Sequence, residues 1–195
     1  MYYPASRNFN DDARVWKYMD RASRTPTPLA AWNRAAGGLG GSFRARARGL
    51  LGSRFSLLDG AGNEWGELRM LGSYAAEIHV GAAVSEIERT GEFGAKYRMR
   101  TDGSQVLIAG PERPRESLRI FCAGAAYEAE TRVLRNASVA RPLADGREGE
   151  GTEVRLSGGI AGRGYEGSFP AGDGGALAVA LFLLYRNVAI RRTAF

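Results

Sequence analysis

The segment that most constrains the fold is GALAVALFLLYRNVAIRR, residues 175–192, near the end of the printed chain. Between Ala176 and Tyr185 the only polar side-chain atom is the tyrosine hydroxyl oxygen. Its residues are good helix formers, Asp173 is placed to cap the N-terminus, and three arginines suit the negative C-terminal end of a helix. A helix with no polar face must be surrounded either by lipid or by protein.

Protein is the favoured surrounding for this helix. The sixteen residues 175–190 would span about 24 Å at 1.5 Å per residue, which is short of the roughly 30 Å hydrocarbon core of a bilayer. The uncharged stretch is shorter still, because Arg186 and Asn187 interrupt it. We therefore predict a helix over residues 173–190 that lies inside the rest of the molecule.

The preceding part of the chain, from about residue 42 to residue 169, alternates apolar and polar residues with period 2, as half-buried strands do. Short turn signals such as Asp59-Gly60, Asp102-Gly103 and Gly124 separate the strands, and no long helical pattern interrupts them. The pattern predicts about twelve strands in an antiparallel meander: SFRARAR, RFSLL, WGELRM, YAAEIHV, VSEIER, KYRMR, QVLIA, SLRIF, YEAETRV, SVARPL, TEVRL and GYEGSF.

Closing such a meander into a barrel removes its two unpaired edges, and a barrel of eleven or twelve strands leaves room for a helix. The sequence therefore predicts an all-β fold, a roughly twelve-stranded antiparallel barrel enclosing the hydrophobic C-terminal helix, over residues 39–195. Residues 1–38 are predicted to hold a short helix, capped at Asn10-Asp11-Asp12 and running to Ala22, followed by the linker SRTPTPL.

The order of these elements resembles the tubby C-terminal-like superfamily, which includes tubby domains, phospholipid scramblases and LURP-one-related proteins. The resemblance covers about residues 39–192 and rests on the early strand–turn–strand FSLLDGAGNEWGELRM and the terminal GALAVALFLLYRNVAIRR; the LURP-one-related branch is the most similar in length. It implies a twelve-stranded barrel around a central hydrophobic helix. Scramblases carry several acidic residues before that helix, whereas this chain has only Asp173, so calcium binding is not expected.

The composition offers little for catalysis. There is one cysteine, Cys122, and one histidine, His79, so neither an intrachain disulfide nor a zinc ligand set is expected, and no phosphate-cradling glycine loop opens a helix. We expect a non-enzymatic protein without metal or cofactor. The first twenty residues contain no apolar run typical of a signal peptide, which predicts a cytoplasmic protein, peripheral to the membrane if it binds lipid.

One group of residues suggests a ligand. Arg44, Arg46 and Arg48 alternate along the first predicted strand and would project from one face about 7 Å apart, an arrangement that suits phosphate oxygens. Tubby domains bind phosphoinositide headgroups through basic residues, so the resemblance implies an anionic lipid as ligand. A small-molecule or nucleic-acid binding module and a scramblase-like lipid-handling protein are the alternatives, with nucleic acid less favoured. The net charge of +6 is compatible with each, and the sequence leaves the oligomeric state open.

Overall fold

The computed structural model describes residues 29–49, 52–72, 74–81, 83–90, 96–113, 117–143, 151–157 and 164–193. Helix α1 is Ala30–Leu39, helix α2 is Gly174–Thr193, and a 3-10 turn covers Val133–Arg135. The strands are β1 Ser42–Arg48, β2 Arg54–Leu58, β3 Glu64–Met70, β4 Ala75–Val80, β5 Ala83–Thr90, β6 Lys96–Thr101, β7 Ser104–Arg113, β8 Ser117–Cys122, β9 Ala125–Arg132, β10 Ala137–Pro142, β11 Thr152–Ser157 and β12 Gly164–Ser168.

The twelve strands form one closed antiparallel barrel. Each strand pairs with the next in the chain, and β1 pairs with β12 to complete the ring, with Ser42 opposite Ser168 and Arg44 opposite Glu166. Closure satisfies the backbone groups that an open sheet would leave at its edges. The predicted fold class is confirmed, and all twelve predicted strands are present.

Helix α2 fills the barrel, as its sequence predicts. Every side chain from Ala176 to Tyr185 is at most 1% exposed, and the inward residues of the strands pack around it. The segment Gly174–Arg192 is long and apolar enough to cross a membrane, but 78% of it is buried in the protein. Burial of a large apolar side chain stabilises a fold by roughly 1.5–3 kcal/mol, so the helix is a main source of core stability.

The sequence analysis did not predict helix α1 at this position. The predicted helix at residues 10–22 lies outside the described residues, and α1 instead follows the predicted linker and extends across the domain boundary drawn at residues 38/39. Trp32, Ala36 and Leu39 share its buried face at helical spacing. The Trp32 indole donates a hydrogen bond to the Thr101 hydroxyl (3.0 Å), so α1 closes the end of the barrel at which α2 begins.

Gly103 and Gly167 explain how one hairpin turn and one pair of strands can form. Asp102 and Gly103 form the two-residue turn between β6 and β7 with φ of 49° and 78°, values that glycine adopts without strain and aspartate tolerates. Gly167 on β12 faces inward, and a Cβ atom there would collide with the ring of Phe43 on β1. The absence of a side chain at Gly167 therefore makes the space in which Phe43 closes the β1–β12 seam.

Candidate functional site: the outer face of β1 and the basic end of the barrel

The three arginines singled out from the sequence lie on the outer face of β1. Arg44, Arg46 and Arg48 are exposed, whereas Phe43 and Ala45 between them are buried. The alternation follows from the strand period, which sends successive side chains to opposite faces. The structure therefore places these guanidinium groups along one side of the strand, as expected.

Two of the three arginines are already engaged. Arg44 donates a hydrogen bond to the Gly60 carbonyl oxygen (3.1 Å), and Arg48 forms an ion pair with Glu64 and a hydrogen bond with the Ser56 hydroxyl. Among the described residues, Arg46 has no ion-pair or hydrogen-bond partner. We call Arg44, Arg46 and Arg48 the β1 row; only one of its three guanidinium groups, that of Arg46, lacks a partner among the described residues.

A surface recess of about 390 Å³ lies at one end of this row, between β1, β11, β12 and the turn after β2. Arg44 and Arg155 line it together with the carboxylates of Asp59, Glu153 and Glu166. Arg155 pairs with Glu166 (3.1 Å). The pKa of Asp59 is lowered, first of all by a side-chain hydrogen bond from Asn63, so that carboxylate stays ionised. With three carboxylates against two guanidiniums, the recess does not favour a simple anion.

The topology creates a second basic surface that no single sequence motif predicts. Because consecutive strands are antiparallel, alternate hairpins lie at opposite ends of the barrel. Cys122 contacts the Gly175 carbonyl oxygen (3.5 Å) at the end where α2 begins, and Arg186 contacts Thr131 at the end where α2 finishes. We call the latter the basic end; among the described residues it carries six exposed cations, of which Arg48 is paired with Glu64: Arg48, Arg54, Lys96, Arg132, Arg135 and Arg192.

In the part of the chain that the structure describes, three exposed apolar side chains share the basic end with these cations. Leu71 and Tyr74, between β3 and β4, are 60% and 61% exposed, and Leu134, in the 3-10 turn after β9, is fully exposed. Two carboxylates near this end are already paired, Glu88 with Arg98 (2.8 Å) and Glu130 with Arg141 (3.8 Å). The surface therefore combines positive charge with apolar side chains in water.

Inside the basic end, a relay of hydrogen bonds holds the two polar residues that interrupt the apolar helix. Arg186 donates to the Thr131 hydroxyl (3.0 Å), and the Ser138 hydroxyl donates to the Asn187 carbonyl oxygen (2.6 Å). Thr131 and Ser138 are 2.9 Å apart; since the Ser138 proton goes to Asn187, Thr131 donates to Ser138. Asn187 in turn donates to the Val154 carbonyl oxygen (3.2 Å). Buried polar groups satisfied in this way fix the helix against the wall.

A cluster of aromatic and cationic side chains adjoins this relay. The guanidinium carbons of Arg89 and Arg186 lie 5.5 Å and 5.8 Å from the ring centroid of Tyr97. The Tyr185 ring lies 6.3 Å from the same ring. Tyr185 is completely buried, and its hydroxyl has no hydrogen-bond partner. Burial raises the pKa of Tyr185 to about 12, so the phenol is neutral at physiological pH.

The remaining residues that could take part in catalysis or metal binding are Cys122 and His79. Cys122 is buried in the core, and burial raises the pKa of its thiol well above the ordinary value. His79 lies partly buried on the outer face, 3.2 Å from the Glu77 carboxylate. In the part of the chain that the structure describes, no group of three or more His, Cys, Asp and Glu side chains could hold a metal ion.

Comparison with protein-family models, curated proteins and solved structures finds no match for this chain. The sequence analysis predicted the row of arginines on β1 because the three residues are close together in sequence, but it missed the basic end, whose six cations come from four strands, a turn and a helix. The one local signal was RVLR at residues 132–135, where a leucine stands between basic residues at a predicted strand end.

Proposed function

We propose that this protein is a non-enzymatic β-barrel that binds anionic phospholipid headgroups at a membrane surface, with the basic end as its docking surface. The observation that carries the proposal is that Leu71, Tyr74 and Leu134 stand exposed at the same barrel end as six exposed cations. Stable docking at an interface takes two signals, apolar insertion and attraction to anionic lipid.

The exposed cations of the basic end are numerous enough to contribute to the binding free energy. A lysine or arginine close to an anionic leaflet contributes about 1 kcal/mol, so the six together contribute about 6 kcal/mol, and a micromolar affinity of about 8 kcal/mol also requires insertion of the apolar side chains. Leu134 adds apolar surface that is already in water and loses no packing when it inserts. Of the β1 row, Arg48 belongs to the basic end, and Arg44 and Arg46 extend it along the side of the barrel.

The resemblance to the tubby C-terminal-like superfamily is part of this proposal. Twelve antiparallel strands followed by a central helix support it. Calcium-dependent scrambling is not proposed, because Asp173 is occupied as the N-cap of α2, where its carboxylate accepts the Ala176 backbone N–H (2.9 Å). We assign the protein to the cytoplasmic face of a membrane as a peripheral protein.

The test is co-sedimentation with vesicles of phosphatidylcholine alone and of phosphatidylcholine mixed with phosphatidylserine. The parent protein is expected to bind only the anionic vesicles, and Leu134→Asp or the pair Arg132→Gln/Arg135→Gln should weaken binding. Controls at the opposite end are Leu143→Asp, at a leucine that is 41% exposed, and Arg34→Gln, at an exposed arginine; both should bind as the parent does. Equal effects of both sets, or no binding by the parent, would refute the proposal.

The recess at Arg44 favours a second candidate, a small-molecule binding module. Its guanidinium and carboxylate groups face one concave site of about 390 Å³, and a ligand carrying both charges would find partners for each. Chemical shifts of residues lining the recess on titration with phosphocholine would test it. Nucleic acid is less favoured, since exposed apolar side chains contribute nothing to phosphate contacts, and it would appear as a steep loss of affinity with salt.

A further inference from the structure

The polar groups inside the basic end are incompletely satisfied: the side-chain oxygen of Asn136 lacks a donor, and two neighbouring donors on α2 lack acceptors. The Tyr185 hydroxyl is completely buried without a hydrogen-bond partner, and the Nε atom of Arg186 is likewise buried and unpartnered. Both groups are donors at neutral pH. A buried donor without an acceptor is costly and rare in folded proteins.

The charge around these donors is positive. Arg186 has only the Thr131 hydroxyl and the Tyr97 ring as partners, so it has no carboxylate partner among the described residues. Arg89 points to the same ring from β5. A partly buried guanidinium is normally paired with a carboxylate or another anion. An acceptor with negative charge is the kind of group that would satisfy such donors.

The position of Arg186 is fixed before any ligand arrives. The hydrogen-bond relay through Thr131, Ser138 and Asn187 holds one terminal nitrogen of the guanidinium, which leaves Nε and the other terminal nitrogen as a fork. Such a fork matches two oxygens of a phosphate group, and preorganisation lowers the entropic cost of binding.

We propose that the interior of the basic end is an anion site in which Arg186 and Tyr185 receive the oxygens of a phosphate group. The phosphate belongs either to a lipid headgroup, a source that rests on the proposed function, or to a soluble phosphate ester. The site is distinct from the exposed cations of the docking surface, because its two donors are buried.

The first experiment measures thermal unfolding with inorganic phosphate against chloride at equal ionic strength. The parent should be stabilised by phosphate. Tyr185→Phe keeps the ring packing but removes the unpartnered hydroxyl, so it should melt at the same or a higher temperature without phosphate and respond less to phosphate. Thr152→Val is the matched control: it removes another buried, unpartnered hydroxyl at the opposite end and should leave the phosphate response unchanged.

The second experiment measures phosphate affinity by calorimetry. Arg186→Gln should weaken binding by about tenfold or more, the loss expected for a charge-assisted hydrogen bond, whereas Arg186→Lys should recover part of it. No stabilisation of the parent by phosphate, or unchanged affinity in both Tyr185→Phe and Arg186→Gln, would overturn the assignment.

Vesicles distinguish the two sources and separate this inference from the proposed function. If phosphatidic acid vesicles bind the parent, and Tyr185→Phe weakens this binding while phosphatidylserine vesicles still dock, the phosphate comes from lipid. If no vesicle binds but free phosphate stabilises the parent through Tyr185, the anion site stands and the docking proposal fails. If vesicle docking persists but neither Tyr185→Phe nor Arg186→Gln changes the binding of any anion, the anion site is refuted and the docking proposal stands.

Discussion

The Ser138 hydroxyl of β10 donates a hydrogen bond of 2.6 Å to the side-chain oxygen of Asn187, on the last half of the central helix. Both residues are completely buried. The bond joins the wall of the barrel to the helix inside it, at a place where the helix sequence stops being apolar. The bond fixes the depth of α2 in the barrel and the rotation of α2 about its own axis. Apolar contacts alone would define this depth and rotation less precisely.

The bond between Ser138 and Asn187 should appear as a coupling energy between the two residues. Ser138→Ala or Asn187→Leu alone leaves a buried polar group unpaired, which is expected to lower the free energy of unfolding by about 1–3 kcal/mol. The pair Ser138→Ala/Asn187→Leu should cost less than the sum of the single changes. Urea denaturation of the four proteins measures the coupling; strict additivity would mean that the bond contributes nothing.

Deletion of the chain after Asp173 should abolish the fold. Leu177, Leu181 and Leu184 are completely buried, and each contributes roughly 1.5–3 kcal/mol toward a net stability of about 5–15 kcal/mol. Leu181→Asp should be nearly as damaging because it places an uncompensated charge in the core. Circular dichroism melts of both variants test this; a truncated protein that melts cooperatively at the full-length temperature would contradict the role of α2 as the core.

Unfolding at alkaline pH should begin before the folded tyrosines ionise. Burial raises the pKa of Tyr185 to about 12 and also raises the pKa of Tyr127 and Tyr165. The unfolded chain loses these protons near pH 10, so the stabilisation is complete below that pH and is lost as the pH rises toward 12. Tyr185→Phe should remove about 2 kcal/mol of this pH dependence, which denaturant titrations at pH 8 to 12 would reveal.

Replacement of Arg44, Arg46 and Arg48 by glutamine should weaken binding to anionic vesicles while leaving the melting temperature nearly unchanged. The three side chains are exposed, and the one ion pair among them, between Arg48 and Glu64, lies at the surface, where such pairs contribute about 0–1 kcal/mol. Vesicle binding and thermal unfolding of the triple variant are the measurements. Binding equal to that of the parent would show that the row takes no part.

The sequence by itself determined the barrel and its contents. Alternation with period 2 gives each strand an inner and an outer face, and a helix without a polar side, as at residues 176–185, requires an enclosure; both are local properties of side-chain spacing. The outward direction of Arg44, Arg46 and Arg48 follows from the same spacing. Helix α1 was missed although Trp32, Ala36 and Leu39 have helical spacing, because the face they form is short and two glycines follow.

Only the tertiary structure decided which charges and which unsatisfied groups meet. Arg48 and Glu64 pair across strands, and the recess and the basic end assemble residues from distant parts of the chain, because ring closure and strand tilt set distances that no local pattern contains. The same holds for Tyr185 and Arg186. In the sequence they mark the end of an apolar run, and the surrounding barrel wall decides that the tyrosine hydroxyl is left without a partner and that the guanidinium faces an aromatic ring rather than a carboxylate.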